Sequence, residues 1–295
     1  MERLAGTSRR TSPLTILPVP YRALAKLIDK IERAKILLEI DILEPDEVDR
    51  AKQILLRDGF VAVRNVLVGA QLERIQKAAN CVIKEIVDKD PKRIGNRGHH
   101  RYSFGNQIHH FEWCELVDLP PILAIVEAIW NSGNFVCNGA GGDFSLPTAE
   151  IQPLHSDGNE LGFTDPWIDQ ISYRSLPPPT LVVNFPMVDF TKDNGAIRQI
   201  PCTQRSQAQI PTLEEEPPWM KSCLICVPTG AALIRDVRCW HGGTANNSTQ
   251  PRPMTSVQYY APWFRQHLSS HLPRRHYDQM SARAQQLCRY IVMQD

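Results

Sequence analysis

The chain has 295 residues, and its 33 lysines and arginines are almost balanced by 32 aspartates and glutamates, which gives a formal net charge of +1. This balance argues against a protein that binds nucleic acid mainly through charge. Hydrophobic residues make up 42% of the chain and charged residues 22%, so general disorder and collagen-like or coiled-coil architectures are excluded.

The eight cysteines are expected to be reduced thiols, because a chain of this length needs no disulfides to hold its core. The first twenty residues lack the apolar core of a signal peptide, and no run approaches the roughly 18 apolar residues of a membrane helix. We therefore expect a cytoplasmic protein with no membrane partner. The alternative is that the Arg-, Ser- and Thr-rich leader is an organelle transit peptide.

The chain begins with a segment, residues 1–20, that is expected to be flexible. Apolar residues then repeat every three or four positions over residues 21–40, which predicts an amphipathic helix. A second helix is predicted after Pro45, and Asp58-Gly59 is expected to end it.

A strand and two further helices complete a helical preface that spans about residues 21–130. FVAVRNVL, residues 60–67, is typical of a strand. Helical spacing of apolar residues continues over Gly69–Asp88 and again over residues 121–130. Between these helices, residues 89–106 are polar, glycine-rich and basic, and predict a loop.

Beyond the preface, residues 134–264 consist of short β-rich stretches separated by proline and glycine. The stretches are FVCNG, LVVNFPMVDF, GAALIRDV and MTSVQYYAPWF. Many short strands between turn signals indicate a sandwich or a barrel. A helix with a basic face is predicted over residues 273–295, and we expect one domain over residues 21–295.

A metal site is suggested by His155 and Asp157, two positions apart in QPLHSDG, where a strand is expected. Residues i and i+2 of a strand project from one face, so both side chains would point to one spot. His241, at the end of another strand-like stretch, offers a third ligand. Two imidazoles and one carboxylate that leave three positions open are the arrangement of non-haem Fe(II) oxygenases. The pair alone is also compatible with a surface histidine beside an acid.

Arg252 follows His241 by eleven residues and comes just ahead of the predicted strand MTSVQYYAPW. A guanidinium group is a planar fork that pairs with a carboxylate through two parallel hydrogen bonds. Inside a barrel it would suit the anchoring of a dicarboxylic cosubstrate. The alternative is a surface arginine.

With their surroundings, these residues resemble the phytanoyl-CoA dioxygenase family of iron(II)- and 2-oxoglutarate-dependent oxygenases. The resemblance covers roughly residues 48–264 and is carried by Gln152 with the H-x-D pair, by DFTKDNGAIRQIPCTQRS and by WHGGTANNSTQPRP. In the central segment Cys202-Thr203-Gln204 replaces the family's usual Gly-Ser-His, a departure at a strand-to-loop turn and not at a metal ligand.

The resemblance implies an α+β protein with a mainly β core. The core would be a double-stranded β-helix, or cupin-like jelly roll, over about residues 134–264, with N-terminal helices packed on it. The two histidines and the aspartate named above would be the iron ligands. Arg252 would pair with the distal carboxylate of 2-oxoglutarate, and Gln152 would contact the same cosubstrate. Asn184, in the strand LVVNF, is a weaker candidate for that contact, with a satisfied core amide as its alternative.

Two residues of the basic loop, Arg101 and Tyr102, are further candidates for contacts with the cosubstrate or an anionic substrate, because this region borders the active-site mouth in the family. Functional residues favour loops that a rigid scaffold holds. The alternative is a solvated basic loop.

The resemblance implies an enzyme that uses Fe(II), 2-oxoglutarate and O₂ to hydroxylate, desaturate or cyclise a small molecule, with release of succinate and CO₂. Because Asp157 occupies a coordination position that halogenases leave to chloride, we expect oxygenation and not halogenation. An amino-acid-derived or other specialised metabolite is the expected substrate, with no nucleic-acid partner, and the protein is expected to be a monomer or weak homodimer. The alternatives are a fatty acyl-CoA hydroxylase of the same family and a non-catalytic jelly-roll binding protein.

Overall fold

The computed structural model describes residues 40–158, 173–266 and 268–294. All of them belong to one compact unit that runs from Leu37 to Asp295. The flexible segment predicted over residues 1–20, and almost all of the helix predicted over residues 21–40, lie outside the described residues. None of the helices in the described ranges has the length and the apolar character needed to cross a membrane.

The described chain contains seven α-helices and ten β-strands. The helices are α1 (Val48–Asp58), α2 (Gly69–Asp88), α3 (Phe111–Cys114), α4 (Pro120–Trp130), α5 (Pro218–Lys221), α6 (Arg274–Tyr277) and α7 (Ala282–Cys288). The strands are β1 (Ile42–Leu43), β2 (Phe60–Val63), β3 (Arg101–Ser103), β4 (Val136–Ser145), β5 (Thr180–Pro186), β6 (Ile197–Gln199), β7 (Leu224–Ile225), β8 (Ala232–Asp236), β9 (His241–Gly243) and β10 (Arg252–Tyr260).

The strands form two sheets. The major sheet has seven strands in the order β1-β2-β8-β5-β10-β4-β3, and the minor sheet has three in the order β7-β6-β9. Only β1 and β2 run parallel; the other neighbours are antiparallel. In the described part of the chain the sheets do not close into a barrel, one of the two forms that the strand pattern allowed, and they build the predicted jelly-roll core instead.

Strand β2 shows how the layers arise, because successive side chains of a strand point to opposite faces. Val61 and Val63 pack with residues of α1 and α2, among them Leu55. Phe60 and Ala62 point the other way and pack with the minor sheet. The major sheet is therefore covered by helices on one face and by the minor sheet on the other, which confirms the packing of N-terminal helices on a β core.

The predicted end of α1 is confirmed, and its cause is visible at Gly59. This residue has φ 88°, and its N–H donates to the carbonyl of Leu55 at 2.8 Å. Such a left-handed conformation at a helix end favours glycine. A Cβ added here would lie 2.7 Å from Gln204 Oε1 and 2.9 Å from Cys239 Sγ, so the position also lacks room for a side chain.

Three predicted elements differ from the observed ones. The strand predicted over residues 60–67 ends at Val63, because Asn65 adopts φ 55° and turns the chain. The loop predicted over residues 89–106 contains β3, which pairs with β4. The single C-terminal helix is two short helices, because the side chain of Ser281 accepts from the N–H of Ala284 and starts a new helix there. All eight cysteines are free thiols.

Candidate metal centre and cosubstrate site

His155 and His241 are brought together by a single β-bridge. The backbone N–H of each donates to the carbonyl of the other at 2.9 Å. Asp157 is fixed nearby, because its N–H donates to the carbonyl of Val237 at 2.9 Å. The H-x-D pair therefore does not lie in a regular strand, as the sequence predicted; the bridge to β9 gives it an extended backbone over this short stretch only.

The three side chains converge at one point between the sheets. Their ligand atoms all lie within 4.8 Å of one another, and no other group of three His, Cys, Asp or Glu side chains in the described residues is as close. The carboxylate of Asp157 lies 3.9 Å from His155 Nε2 and 3.3 Å from His241 Nε2. Two nitrogens and one carboxylate at this separation fit a mononuclear metal with open positions.

Both imidazole rings are oriented by backbone carbonyls. His155 Nδ1 lies 3.2 Å from the carbonyl of Pro153, and His241 Nδ1 lies 2.9 Å from that of Cys239. Because a carbonyl only accepts, each Nδ1 carries the proton and each Nε2 keeps a lone pair for a metal, as is usual for metal-binding histidines. Burial and the charge of Arg235 lower the pKa of His241 to about 4, so the ring is neutral at neutral pH.

Arg235 of β8 holds the carboxylate of the triad, a role that the sequence analysis missed. Its Nη2 donates to Asp157 Oδ2 at 2.9 Å, and its Nε donates to Asn184 Oδ1 at 3.1 Å. Burial opposes ionisation of Asp157, but the charge of Arg235 and the contact with His241 hold the pKa of the carboxyl well below its usual range. The sequence signal was an arginine inside the apolar strand GAALIRDV.

Arg252 is the first residue of β10 and only 3% of it is exposed. Its guanidinium carbon lies 4.9 Å from the centre of the Phe190 ring, and its Nε and Nη1 are buried with no hydrogen-bond partner. Burial and nearby Arg101 lower its pKa to about 10, so the group remains charged at neutral pH. Buried charged donors without an acceptor are costly, and a carboxylate bound here would complete them. The residues present therefore fit both an iron ion and a carboxylate cosubstrate.

Arg252, Arg101, Gln152 and Asn184 line one cavity of about 140 Å³ with the triad. Arg101 is buried and donates to the carbonyls of Glu150 and Thr244. The Gln152 amide oxygen accepts from the N–H of Gly243 at 3.0 Å, while the Asn184 amide oxygen accepts from Arg235. The structure thus brings three further residues singled out from the sequence to the same site.

Tyr102 borders this cavity but its hydroxyl is used elsewhere. The ring stacks on Phe144 at a centroid distance of 4.8 Å, and the hydroxyl donates to Asp90 at 2.8 Å. Burial and the bond to Asp90 raise the pKa of Tyr102 to about 12. Tyr102 precedes Ser103 and follows Arg101 on β3, so its side chain points to the opposite face from theirs. We therefore do not place the Tyr102 hydroxyl in the site.

Several solved structures share the fold of this chain. The α-ketoglutarate-dependent non-heme epimerase SnoN from nogalamycin biosynthesis is 16% identical, with a TM-score of 0.55 over 73% of this chain and 84% of SnoN. AviO1 from Streptomyces viridochromogenes Tue57 is 17% identical, with a TM-score of 0.54 over 75% and 97% of the two chains. EctD from S. alaskensis in its apo form is 15% identical, with a TM-score of 0.56 over 80% and 85%.

The family of the chain follows from its sequence together with this geometry. The model of the phytanoyl-CoA dioxygenase family matches residues 55–254, which is more than half of the chain and includes the triad and Arg252. Family, fold and a His-Asp-His cluster agree with one another. The protein belongs to the phytanoyl-CoA dioxygenase family and is an iron(II)- and 2-oxoglutarate-dependent dioxygenase.

Proposed function

We propose that the protein oxidises an unactivated C–H bond of a small organic substrate, with His155, Asp157 and His241 as the iron ligands. Arg252 anchors the distal carboxylate of 2-oxoglutarate in this proposal. The observation that carries it is a buried guanidinium with two donor atoms lacking acceptors, in the same cavity as three convergent metal-ligand side chains.

With O₂, bound iron and 2-oxoglutarate supply the oxidising power for C–H cleavage and yield succinate and CO₂. The residues of the chain supply geometry. Backbone carbonyls hold the two rings, and Arg235 holds Asp157 and bonds to Asn184. Because the carboxylate of Asp157 would occupy the coordination position that a halogenase leaves to chloride, we propose oxygenation and not halogenation; a chlorinated product from the wild-type enzyme would contradict this.

The substrate that we propose is a small amino-acid-derived or other specialised metabolite, which is hydroxylated, desaturated or cyclised. Proteins of this fold have been crystallised with small metabolites: EctD with 2-oxoglutarate and 5-hydroxyectoine, and SnoN with Fe³⁺, α-ketoglutarate and nogalamycin RO. We further propose that the protein acts in the cytoplasm as a monomer or weak homodimer, with residues 21–295 as one domain.

The test is to add Fe(II) and 2-oxoglutarate to the metal-free protein under anaerobic conditions and to measure binding by calorimetry. We then admit O₂ and measure succinate. Wild-type protein should bind both ligands and release succinate, and His155→Ala and Asp157→Ala should abolish iron binding. His109→Ala is the control, since this histidine lies outside the triad cavity. Wild-type protein that does not bind iron together with 2-oxoglutarate would contradict the proposal.

A further inference from the structure

A second cavity, of about 350 Å³, adjoins the triad cavity; we call it the chamber. The two cavities share five lining residues: Arg97, Asp143, Asp157, Asn184 and Arg235. A molecule in the chamber would therefore lie directly beside the metal ligand Asp157. Its walls come mainly from β4, β5 and β10 of the major sheet.

The floor of the chamber is polar. Ser256 of β10 lies between Gly141 of β4 and Asn184 of β5, and the next inward residue of β10, Gln258, lies opposite Gly139. The glycines leave space, and the hydroxyl and amides offer hydrogen bonds. Ala140 and Val182 are the only aliphatic side chains among the described residues that line the chamber.

This lining is unsuited to a fatty acyl chain. Asn138 and Gln258 hydrogen-bond to each other, but an acyl chain in the chamber would leave the Asp143 carboxylate and the Ser256 hydroxyl without water or partners, which costs free energy for each group. Two residues before Ser256 on β10, Met254 packs in an apolar cluster with residues of the minor sheet and lines the triad cavity, not the chamber.

Asp143 stands at the junction of the two cavities. It faces inward on β4, opposite Met254 and Ser103, and is half-buried. Its carboxylate accepts no hydrogen bond and forms no ion pair within 4.0 Å in the described part of the chain. Burial raises its pKa, and the charges of Arg97, Arg252 and Arg235 oppose this shift.

When iron and 2-oxoglutarate are bound, two of these three arginines pair with groups other than Asp143. Arg235 is already paired with Asp157 at 2.9 Å. Arg252 pairs with the cosubstrate carboxylate under the proposed function. The remaining charges near Asp143 are those of the exposed Arg97 and of Arg101, and the Arg101 guanidinium already donates to the carbonyls of Glu150 and Thr244. No protein group in the described residues donates a hydrogen bond to the Asp143 carboxylate. A hydrogen-bond donor on the substrate would fill this role.

We infer that Asp143 and the polar floor of the chamber bind a small substrate through hydrogen-bond donors of that substrate, either an ammonium group or hydroxyl groups. The inference deepens the proposed function and rests on it. It excludes acyl-CoA thioesters as the substrate class. Asp143 is then the residue that sets which molecules are oxidised, while the triad sets the chemistry.

The test uses full-length protein loaded with Fe(II) and 2-oxoglutarate under anaerobic conditions, with probe binding measured by calorimetry and succinate release measured after O₂ is admitted. The probes are amino acids and diamines, then neutral mono- and disaccharides, then fatty acids and acyl-CoAs. Asp143→Asn keeps the shape and one acceptor oxygen but removes the charge, and Asp143→Ala removes both. Glu85→Gln, an exposed change on α2, is the matched control.

We expect a polar probe to bind and to raise succinate release, and acyl probes to do neither. Asp143→Asn should weaken an ammonium probe by about 10-fold or more, because a charge-assisted hydrogen bond is lost. The affinity for a hydroxyl probe should fall less in Asp143→Asn. In Asp143→Ala the affinity for both kinds of probe should fall. The affinity for 2-oxoglutarate should not fall, since its proposed anchor is Arg252 and removal of the negative charge of Asp143 takes away no hydrogen bond to the cosubstrate.

Binding of an acyl-CoA, no binding of any polar probe, or an Asp143→Asn variant with unchanged probe affinity would each overturn the inference. An equal loss of 2-oxoglutarate affinity would overturn it as well, because Asp143 would then serve the cosubstrate. Failure of the proposed function is separate, since it is read from iron and 2-oxoglutarate binding by wild-type protein before any probe is added.

Discussion

At the scale of single residues, the proposed binding of 2-oxoglutarate depends on the guanidinium of Arg252. Its Nε and Nη1 have no acceptor in the described chain, and the Phe190 ring covers one side of the group. Hydrogen bonds from a charged donor to a carboxylate contribute about 1.5 to 3 kcal/mol each. A carboxylate bound here would accept the hydrogen bonds of both nitrogens, as the proposed function requires.

Replacing Arg252 with Gln should raise the KM for 2-oxoglutarate by about 10- to 150-fold, the equivalent of one lost charge-assisted hydrogen bond. Arg252→Lys keeps the charge but loses the planar fork, so its KM for 2-oxoglutarate should lie between those of wild type and Arg252→Gln. The KM is measured from succinate release at saturating iron, with circular dichroism as a check of folding. An unchanged KM in Arg252→Gln would remove this residue from the cosubstrate site.

We propose that Arg235 supports the metal through its ion pair with Asp157. Arg235→Gln should lower the affinity for Fe(II) by about 10- to 100-fold, because groups that orient a metal ligand have effects of this size. The affinity is measured by anaerobic titration. Lys77→Gln, an exposed change on α2, is the control and should bind iron like wild type. Equal iron affinity in Arg235→Gln and the control would show that the ion pair does not support the metal.

At the scale of elements, the loop between α2 and β3 is fixed by Asp90. Its carboxylate accepts from the N–H of Gly95 and from the hydroxyl of Tyr102, both at 2.8 Å. These bonds lower the pKa of Asp90 in the folded protein. The loop carries Arg97 to the rim of both cavities, so its anchor contributes to the shape of the site.

A group whose folded pKa is depressed stabilises the protein above its unfolded pKa and loses this effect as the pH falls through the folded value. Asp90→Asn should therefore be less stable than wild type at neutral pH. The difference should shrink below about pH 4, the unfolded pKa of an aspartate. Urea unfolding at several pH values measures this, and a difference that does not depend on pH would contradict the role of the carboxylate charge.

The junction of α1 and β2 requires glycine at position 59. Gly59→Ala should destabilise the protein by about 1 to 3 kcal/mol, because φ 88° is strained for alanine and Gln204 would have to move. Gly133→Ala is the matched control, since its φ lies outside the left-handed region and the nearest atoms to a new Cβ are 3.4 Å away. Thermal unfolding compares them; similar melting temperatures for the two variants would contradict the expectation.

At the scale of the whole molecule, the two sheets hold the triad, so ligands of the triad should stabilise the fold. At a free ligand concentration of 100 times Kd, binding to the folded state alone adds about 2.7 kcal/mol. Iron with 2-oxoglutarate should raise Tm under anaerobic conditions, and a chelator should reverse the rise and stop succinate release. Asp157→Ala should show no such rise. A wild-type Tm that does not change when iron and 2-oxoglutarate are added would contradict the metal site.

Local patterns predicted much of the fold. The helix over Gly69–Asp88 and the end of α1 at Gly59 follow from apolar spacing and from one left-handed residue, both of which depend on neighbours in sequence. The sequence analysis expected the H-x-D pair in a regular strand, but the pair lies beside a single β-bridge. Its backbone is extended by the bridge between residues 155 and 241, a contact over 86 positions that no local pattern contains.

The sequence by itself determined the family and the types of donor at the candidate metal centre, because short motifs around His155, His241 and Arg252 carry both. Only the tertiary structure decided that Arg235 holds Asp157 and that Asp143 faces the chamber. Their neighbours are set by the pairing register of β4, β5, β8 and β10, strands far apart in the chain. Register is a non-local property, because each strand forms its backbone hydrogen bonds with other strands. The polar floor of the chamber therefore appears only when the sheet is assembled.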